Sequence, residues 1–357
     1  MSINVRIVVG CPGAGKSTFL ANTARSLDPN DTLILSYSRS ASASIAAKAG
    51  GLYRSSTIHS LCFRELGIVP QQIMQGKQID DFCKYIGVPI PDEGYDRYDP
   101  SIHQFEIYNY ARTAGIDPIE AYFKYGDGVD FSFSEYILFV KALLEYKKAM
   151  GMWEFHDLLS GSSPTSAPKN LLIDESQDNS FSLTKAIEKL VFAGVKNLWM
   201  VGDPNQAIYT YSGADPKWMY HFGGREEFLE QSYRCPAAVV NKAKGLLDAR
   251  FLPTKYHGIV SRETSIPENA DLILVRTNYL KYKLIKQMGV KKEKVSTIHK
   301  AKGMQADHVV IFNSTTRKVR ISTDLDPVAE KRVLYTAITR AKKMLTIVEG
   351  RAPNEWI

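Results

Sequence analysis

Short apolar runs punctuate the chain at residues 5–9, 32–35, 171–173, 198–201, 272–275, 308–312 and 344–348, all dominated by Val, Ile and Leu. Runs that stay apolar, instead of alternating with polar residues, mark strands buried on both faces, as in parallel sheets. Between them, helical spacing predicts helices over 41–49, 237–249 and 327–343, and another opening at Ser56-Thr57-Ile58-His59-Ser60. Such alternation predicts an α/β protein with parallel sheets. Residues 65–150 break the pattern. They are rich in Tyr and Phe at amphipathic spacing, as over 133–144, with a Pro- and Asp-bearing turn region at 88–101. A mostly helical insertion is expected there, with the aromatics as its core. Residues 153–159 return to the sheet domain, a Ser/Pro/Gly linker follows at 160–168, and a second α/β unit is expected from about Arg225. The expected division is a first unit of 1–64 and 151–222, the insertion of 65–150, and a second unit of 223–357.

A length of 357 residues suits two or three domains, and 44% hydrophobic with 23% charged residues is ordinary for a soluble globular protein. The net charge of +7 leans towards a polyanionic partner. Cys11, Cys62, Cys83 and Cys235 show no metal-ligand spacing and read as reduced thiols. No run approaches the ~18 apolar residues of a membrane span, and the first residues lack the pattern of a cleaved signal. The expectation is a soluble intracellular protein without membrane contact.

Candidate chemistry begins where the first apolar run feeds into Gly10-Cys11-Pro12-Gly13-Ala14-Gly15-Lys16-Ser17. This fits G-x-x-x-x-G-K-[ST] in a strand–loop–helix context. Such glycines let backbone N–H groups curl round a β-phosphate beside a helix N-terminus. Lys16 would reach the β/γ-phosphates and Ser17 would ligate Mg²⁺. The run 171–173 ends in Asp174-Glu175, followed by Ser176-Gln177-Asp178. Paired acids at the carboxyl end of a parallel strand can hold Mg²⁺ and polarise a water. An acidic turn without function is the ordinary alternative, and the phosphate loop in the same chain decides against it. Gln206 follows the run 198–201, where a sensor of the terminal phosphate would stand, with Tyr209 and Tyr211 as stacking faces on the same loop. Tyr37 and His59 lie just beyond other element ends, where ordinary capping competes with phosphate or base contact. Arg234, His299, Lys300, Lys302 and Arg340 stand near element ends in the second unit.

In order, these blocks resemble superfamily 1 helicases of the UvrD/Rep/PcrA type. GCPGAGKS is similar to their phosphate loop, LILSYSRSAS to the block after it, STIHSLCF to the T-F-H block and WEFHDLL to D-F-D-D-L-L. LLIDESQD is similar to D-E-x-Q-D, and VGDPNQAIYTYSGAD to G-D-x-x-Q-S-I-Y-x-[FW]-R-G-A-D. LEQSYR, STIHKAKGMQADHVVI and RVLYTAITRAKK resemble the last three blocks, so the likeness runs from about residue 5 to 348. The resemblance implies two RecA-like P-loop domains with ATP in the cleft between them and single-stranded DNA across both. Gly10, Gly13, Ala14, Gly15, Lys16, Ser17, Thr18, Tyr233, Gly303 and Gln305 would bind nucleotide, with Tyr233 stacking on adenine. Ser17 and Asp174 would hold Mg²⁺, Glu175 would orient the attacking water, and Gln206 would sense the γ-phosphate. Arg234 and Arg340 would be arginine fingers, while Tyr37, His59, Tyr211, Thr297 and His299 would line the DNA track. Gln177 and Asp178 are candidates to relay the γ-phosphate state towards Gln206.

By the same resemblance the expected activity is a DNA-stimulated ATPase and 3′→5′ helicase acting on single-stranded and tailed duplex DNA. The expected protein is a monomer in the cytoplasm of a bacterial or phage-infected cell, with replication or repair proteins as partners. A strand-bound translocase with little unwinding and a nucleotide-gated clamp without turnover are the alternatives. Several positions depart from the family. With few residues ahead of Gly10, the Gln-bearing segment that the family carries before its phosphate loop is expected to be missing, and Thr18 stands where the family has Arg. Selection of ATP over other NTPs is therefore expected to be set less firmly than hydrolysis. Gln305 replaces Glu, Tyr211 replaces Trp, and only residues 235–296 lie where the family carries its large second insertion.

Overall fold

The computed structural model describes residues 3–88, 100–126, 129 and 131–357. Its strands form two all-parallel sheets. The first contains β1 (Asn4–Gly10), β2 (Thr32–Leu35), β3 (Arg54–Ser56), β4 (Asn170–Ile173), β5 (Asn197–Gly202) and β6 (Arg225–Leu229), in the order β3-β2-β4-β5-β1-β6. The second contains β7 (Ile259–Glu263), β8 (Leu272–Val275), β9 (Val295–Thr297), β10 (Ala306–Asn313) and β11 (Ala341–Glu349), in the order β7-β11-β10-β8-β9.

Side chains alternate across each strand, and both faces are covered, which is why the runs are apolar throughout. Ile7, Leu33, Leu171 and Leu198 pack into one core, while Val8, Ile34, Leu172 and Trp199 pack into another on the opposite face. The second sheet repeats this, with Leu274, Val309 and Leu345 on one side and Ile273, Val310 and Val348 on the other. Because all strands of a sheet run one way, β1, β2, β4 and β5 bring the phosphate loop, Tyr37, Asp174-Glu175 and Asp203 to one rim. A short backbone bond from Asp174 N to Leu35 O, 2.9 Å, extends that rim beyond β4.

Three expectations are corrected. Residues 225–229 pair with β1, from Arg6↔Arg225 to Gly10↔Leu229, so they close the first sheet and do not open the second unit. Their sequence, Arg-Glu-Glu-Phe-Leu, is largely exposed and charged, as suits an edge strand, and carries no buried-strand signal. The helix expected over 237–249 is Ala237–Lys244. The helix expected over 327–343 is Pro327–Ile338, and Ala341 already belongs to β11. Arg340 therefore stands in the turn between helix and strand. Between Cys235 and Ser296, β7 and β8 belong to the second sheet, and the helices there are Ala237–Lys244 and Asn278–Gln287.

Helices Lys77–Ile86, Pro100–Ala114, Pro118–Tyr125 and Phe133–Met150 follow β3. Phe82, Tyr108, Tyr136, Phe139 and Leu143 form their shared core, so these aromatics are packing residues. The turn region expected at 88–101 lies mostly outside the described residues. The long helix starts with a capping box between Ser132 and Glu135 and stops at Gly151, whose φ of 63° is left-handed. Near that stop, Lys147 lies 2.5 Å from both Glu154 and Asp157, while Arg112 lies 2.7 Å from Asp157. The Tyr108 hydroxyl donates to Glu154 at 3.0 Å. These charges clamp the helical insertion to helix Phe155–Gly161 beneath the first sheet. Among the described residues, no helix is long and apolar enough to cross a membrane.

Lys147 and Glu154 are buried, so deleting the ammonium takes a cation from two carboxylates. Asp157 keeps Arg112, while Glu154 is left with the Tyr108 hydroxyl in a poor solvent for charge. Lys147→Met is expected to destabilise the protein by about 3 kcal/mol, read as a lower urea midpoint. An unchanged midpoint would show that water already compensates the carboxylates.

Candidate functional site

The phosphate loop joins β1 to helix Lys16–Arg25, with Gly13 and Gly15 at φ of 77° and 81°. Left-handed backbone there favours glycine. Gly13 is also fixed by contact: a Cβ at this position would lie 2.4 Å from the Cβ of Arg234. Lys16 Nζ donates to the carbonyls of Gly10 at 2.9 Å and Cys11 at 3.3 Å, so the ammonium is folded over the loop. Ser17 is half-buried, Ala14 buried and Thr18 exposed.

Residues 229–235 run alongside this loop. Cys11 N donates to Leu229 O at 3.0 Å, Tyr233 N to Gly13 O at 2.9 Å, and the Ser232 hydroxyl to Pro12 O at 2.7 Å. The result is a half-buried Arg234 beside the loop and an exposed Tyr233, whose ring is free to stack. Arg234 Nη1 reaches Thr339 O at 3.5 Å, and its buried Nε has no partner among the described residues.

Across the rim, Asp174 is buried and its Oδ1 lacks a hydrogen-bond partner. Burial, then the adjacent Glu175 charge, pushes its carboxyl up to about 7. Burial also acts to raise Glu175, but Lys302, Lys16, a bond from Gln177 and Arg340 together hold it below the usual carboxylate range. Neighbouring acids with pKa values driven apart suit different tasks. Glu175 has φ of 54°, the one left-handed non-glycine residue described, a conformation that marks strain.

A polar chain leaves this turn. Gln177 Nε2 donates to Glu175 at 2.5 Å, and Gln177 Oε1 accepts from Asp203 N at 3.0 Å. Gln206 Nε2 donates to Asp203 at 2.6 Å, while Gln206 Oε1 accepts from Arg340 Nη2 at 2.6 Å. Arg340 is buried and also donates to Thr336 O at 2.9 Å. Burial and then Arg234 lower its guanidinium to about 10, so it remains a cation near neutral pH. Lys302 pairs with Asp178, donates to Gln206 O at 3.0 Å and lies 3.8 Å from Glu175. The two units therefore meet through charges around one turn.

Beside the turn lies a cleft of about 800 Å³ between the sheets, lined by Tyr37, Glu175, Asp178, Tyr209, Tyr211 and His299 among others. Tyr37 and Tyr209 stack with centroids 5.2 Å apart at 8°, and Tyr211 meets His299 edge-on at 5.4 Å. Thr297 and Gly303 line the same cleft, and Gln305 is exposed two residues on. His299 touches Ile208 O at 3.2 Å, and burial takes its pKa down to about 4, so the ring is neutral at physiological pH. His59 instead packs edge-on against Phe155 at 5.6 Å, with burial lowering it to about 4.

The residues fit a Mg²⁺–nucleoside triphosphate. Asp174 supplies an unpartnered buried oxygen, and Ser17 opens the helix that follows the loop. Among the described residues no group of three or more His, Cys, Asp or Glu could hold a metal alone. A hard cation here would draw its other ligands from phosphates and water. Sequence reading missed Asp203, although its place beyond a buried strand was a signal, and Arg276, which lines the cleft and pairs with buried Glu330 at 3.0 Å.

The raised Asp174 pKa has a definite sign. Between about 4 and about 7 the folded protein holds a proton that the unfolded chain has lost, so the ligand-free fold weakens as pH rises through that window. Asp174→Asn is expected to gain stability over the original chain at pH 8 and little at pH 4, read from thermal midpoints. Equal midpoint differences at both pH values would refute the shift.

Residues 1–212 match the AAA domain family, and residues 294–348 match the UvrD-like helicase C-terminal domain. The chain is 24% identical over 289 residues to a probable DNA helicase II homolog of Mycoplasma genitalium, covering 68% of this chain and 40% of that protein. It is 28% identical over 230 residues to DNA helicase IV of Escherichia coli, covering 49% and 33%. The chain thus spans well under half the length of these relatives. A structure of PRRSV helicase overlaps 97% of this chain and 52% of its own at a TM-score of 0.48 and 12% identity. An arterivirus nonstructural protein 10 helicase in complex with DNA overlaps 99% and 62%, at 0.48 and 14%. With one family covering more than half of the sequence and the other covering its last blocks, the chain belongs to the UvrD-type superfamily 1 helicases.

Proposed function

We propose that the protein is an ATP-driven motor on single-stranded DNA, a 3′→5′ helicase. The observation that carries this reading is the chain Glu175–Gln177–Asp203–Gln206–Arg340, because the turn that starts it also lines the aromatic cleft. The names of the relatives, DNA helicases both, favour DNA as the strand.

In this reading Lys16 exchanges its two loop carbonyls for the β- and γ-phosphate oxygens of ATP, and Tyr233 stacks on the base. Ser17 and Asp174 would hold Mg²⁺, which supplies charge neutralisation between the phosphates. Glu175 orients a water and takes its proton as the oxygen attacks the γ-phosphorus and the bond to the ADP oxygen breaks. Arg234 and Arg340 neutralise the charge that spreads over the transferred group. Gln206 is already bonded to Arg340, so a change at the γ-phosphate alters how the second sheet is held. Tyr37, Tyr209, Tyr211 and His299 grip bases by stacking, which tolerates any sequence. Opening and closing of the two units around that grip would advance the strand.

A second reading is a translocase that strips proteins from single strands and unwinds little. It is favoured by the use of residues 235–296 for strands and helices of the second unit, which leaves little chain for an element that engages duplex.

Glu175→Gln is expected to lower strand-stimulated ATP hydrolysis by about 10²–10⁴-fold with nucleotide binding retained, measured by phosphate release and by a fluorescent nucleotide. Undiminished turnover would remove Glu175 from its role. Arg340→Ala is expected to cut kcat by about 10³-fold or more. Displacement assays on 3′- and 5′-tailed duplexes decide between the readings. The helicase opens the 3′-tailed substrate alone, whereas strong hydrolysis with neither substrate opened favours the translocase.

A further inference from the structure

The positive charge of the molecule is concentrated in one place. Residues 276–302 contain nine Lys and Arg and a single acid, Glu293, so this segment alone carries +8 against +7 for the whole chain. The remainder is close to neutral. The segment runs from the end of β8 through helix Asn278–Gln287 and the turn Lys292–Lys294 to β9 and the loop beyond it. Part of the charge is already committed, since Arg276 pairs with Glu330, Lys302 with Asp178, and Lys294 with the carbonyl of Glu268. Lys281, Lys283, Lys286, Lys291, Lys292 and Lys300 have no acidic partner among the described residues.

These lysines also crowd one another. Burial and then the neighbouring Lys300 and Lys292 hold the Lys281 ammonium below the ordinary lysine range. Mutual repulsion of this kind is relieved by an anion. Tyr279 and Tyr282 are exposed on the same helix. At spacings of three and four residues, Tyr279 shares a face with Tyr282, Lys283 and Lys286. Thr277 and Asn278, at the start of the helix, line the aromatic cleft, as does Lys300. The patch is thus continuous with the cleft.

We propose that helix Asn278–Gln287 and the adjoining Lys291–Lys294 turn form an outer track for the phosphate backbone of single-stranded nucleic acid leaving the cleft. Interleaved tyrosines and lysines favour a single strand over a duplex, because exposed rings stack on unpaired bases while ammonium groups follow the backbone. The inference rests on the cleft holding nucleic acid and extends the occupied site beyond it. The lysines lie outside the nucleotide site, so hydrolysis itself does not depend on them.

The test compares the original chain with Lys283→Ala/Lys286→Ala/Lys292→Ala, using oligodeoxynucleotides of about 5 and about 15 nucleotides over a range of salt. Thermal midpoints first check that the variant is folded, as the exposure of Lys286 and Lys292 and the half-burial of Lys283 predict. For the longer strand, affinity is expected to fall about tenfold and the slope of log K against log salt to shrink by about 2, since each lost phosphate contact removes about 0.7. Binding of the shorter strand and maximal strand-stimulated ATP hydrolysis should be unchanged. Unchanged affinity and slope on the longer strand would overturn the outer track, as would equal losses on both lengths. A loss confined to tailed duplexes would replace the single strand with duplex and overturn the assignment. If the original chain binds neither oligonucleotide, the reading of the cleft fails first, which distinguishes the two.

Discussion

Everything in this molecule is arranged around the place where the phosphate loop touches residues 229–235. Gly13 and Arg234 approach so closely that even a methyl group would not fit between them. Four hydrogen bonds with backbone acceptors sew the two segments together, the fourth from the Cys11 thiol to Glu230 O at 3.2 Å. The loop that we propose cradles phosphates is therefore also the joint on which the second unit rests. Interiors and tight contacts of this sort shift between discrete arrangements and do not deform smoothly. Filling the loop with a polyphosphate cannot leave Arg234 indifferent.

Buried charge tells the other half of the story. Lys16, Asp174, Glu175, Asp178, Asp203, Lys302 and Arg340 share one poorly solvated region, where an isolated charge is costly and each depends on its partners. Lys302 and Arg340 come from the second unit, while the acids come from the first. Separating the units would strand charge on both sides. Their mutual position is thus set electrostatically as well as by packing, and a ligand that brings its own negative charge redistributes these partnerships.

Much of this was legible in the chain. The glycines and Lys16 announced the loop, and continuous apolar runs announced strands covered on both faces. Asp174 and Glu175 followed such a run directly. What escaped had physical reasons. The strand Arg225–Leu229 is an edge, exposed and charged, so it lacks the apolar signature of its neighbours. Arg340 falls in a tight reversal between a helix and a strand, where helical spacing continues in the sequence after the helix has ended. The bond from Asp203 N to Gln177 depends on two strand ends lying side by side, which no local spacing encodes.

The left-handed backbone at Glu175 has a consequence for how this position can vary. A glycine would occupy that conformation without strain, but it would loosen the unfolded chain and take from Lys302, Arg340 and Gln177 the carboxylate they hold ionised. In the proposed reaction it would also erase the group that orients the attacking water. Relief of backbone strain and compensation of buried cations thus pull this position in opposite directions.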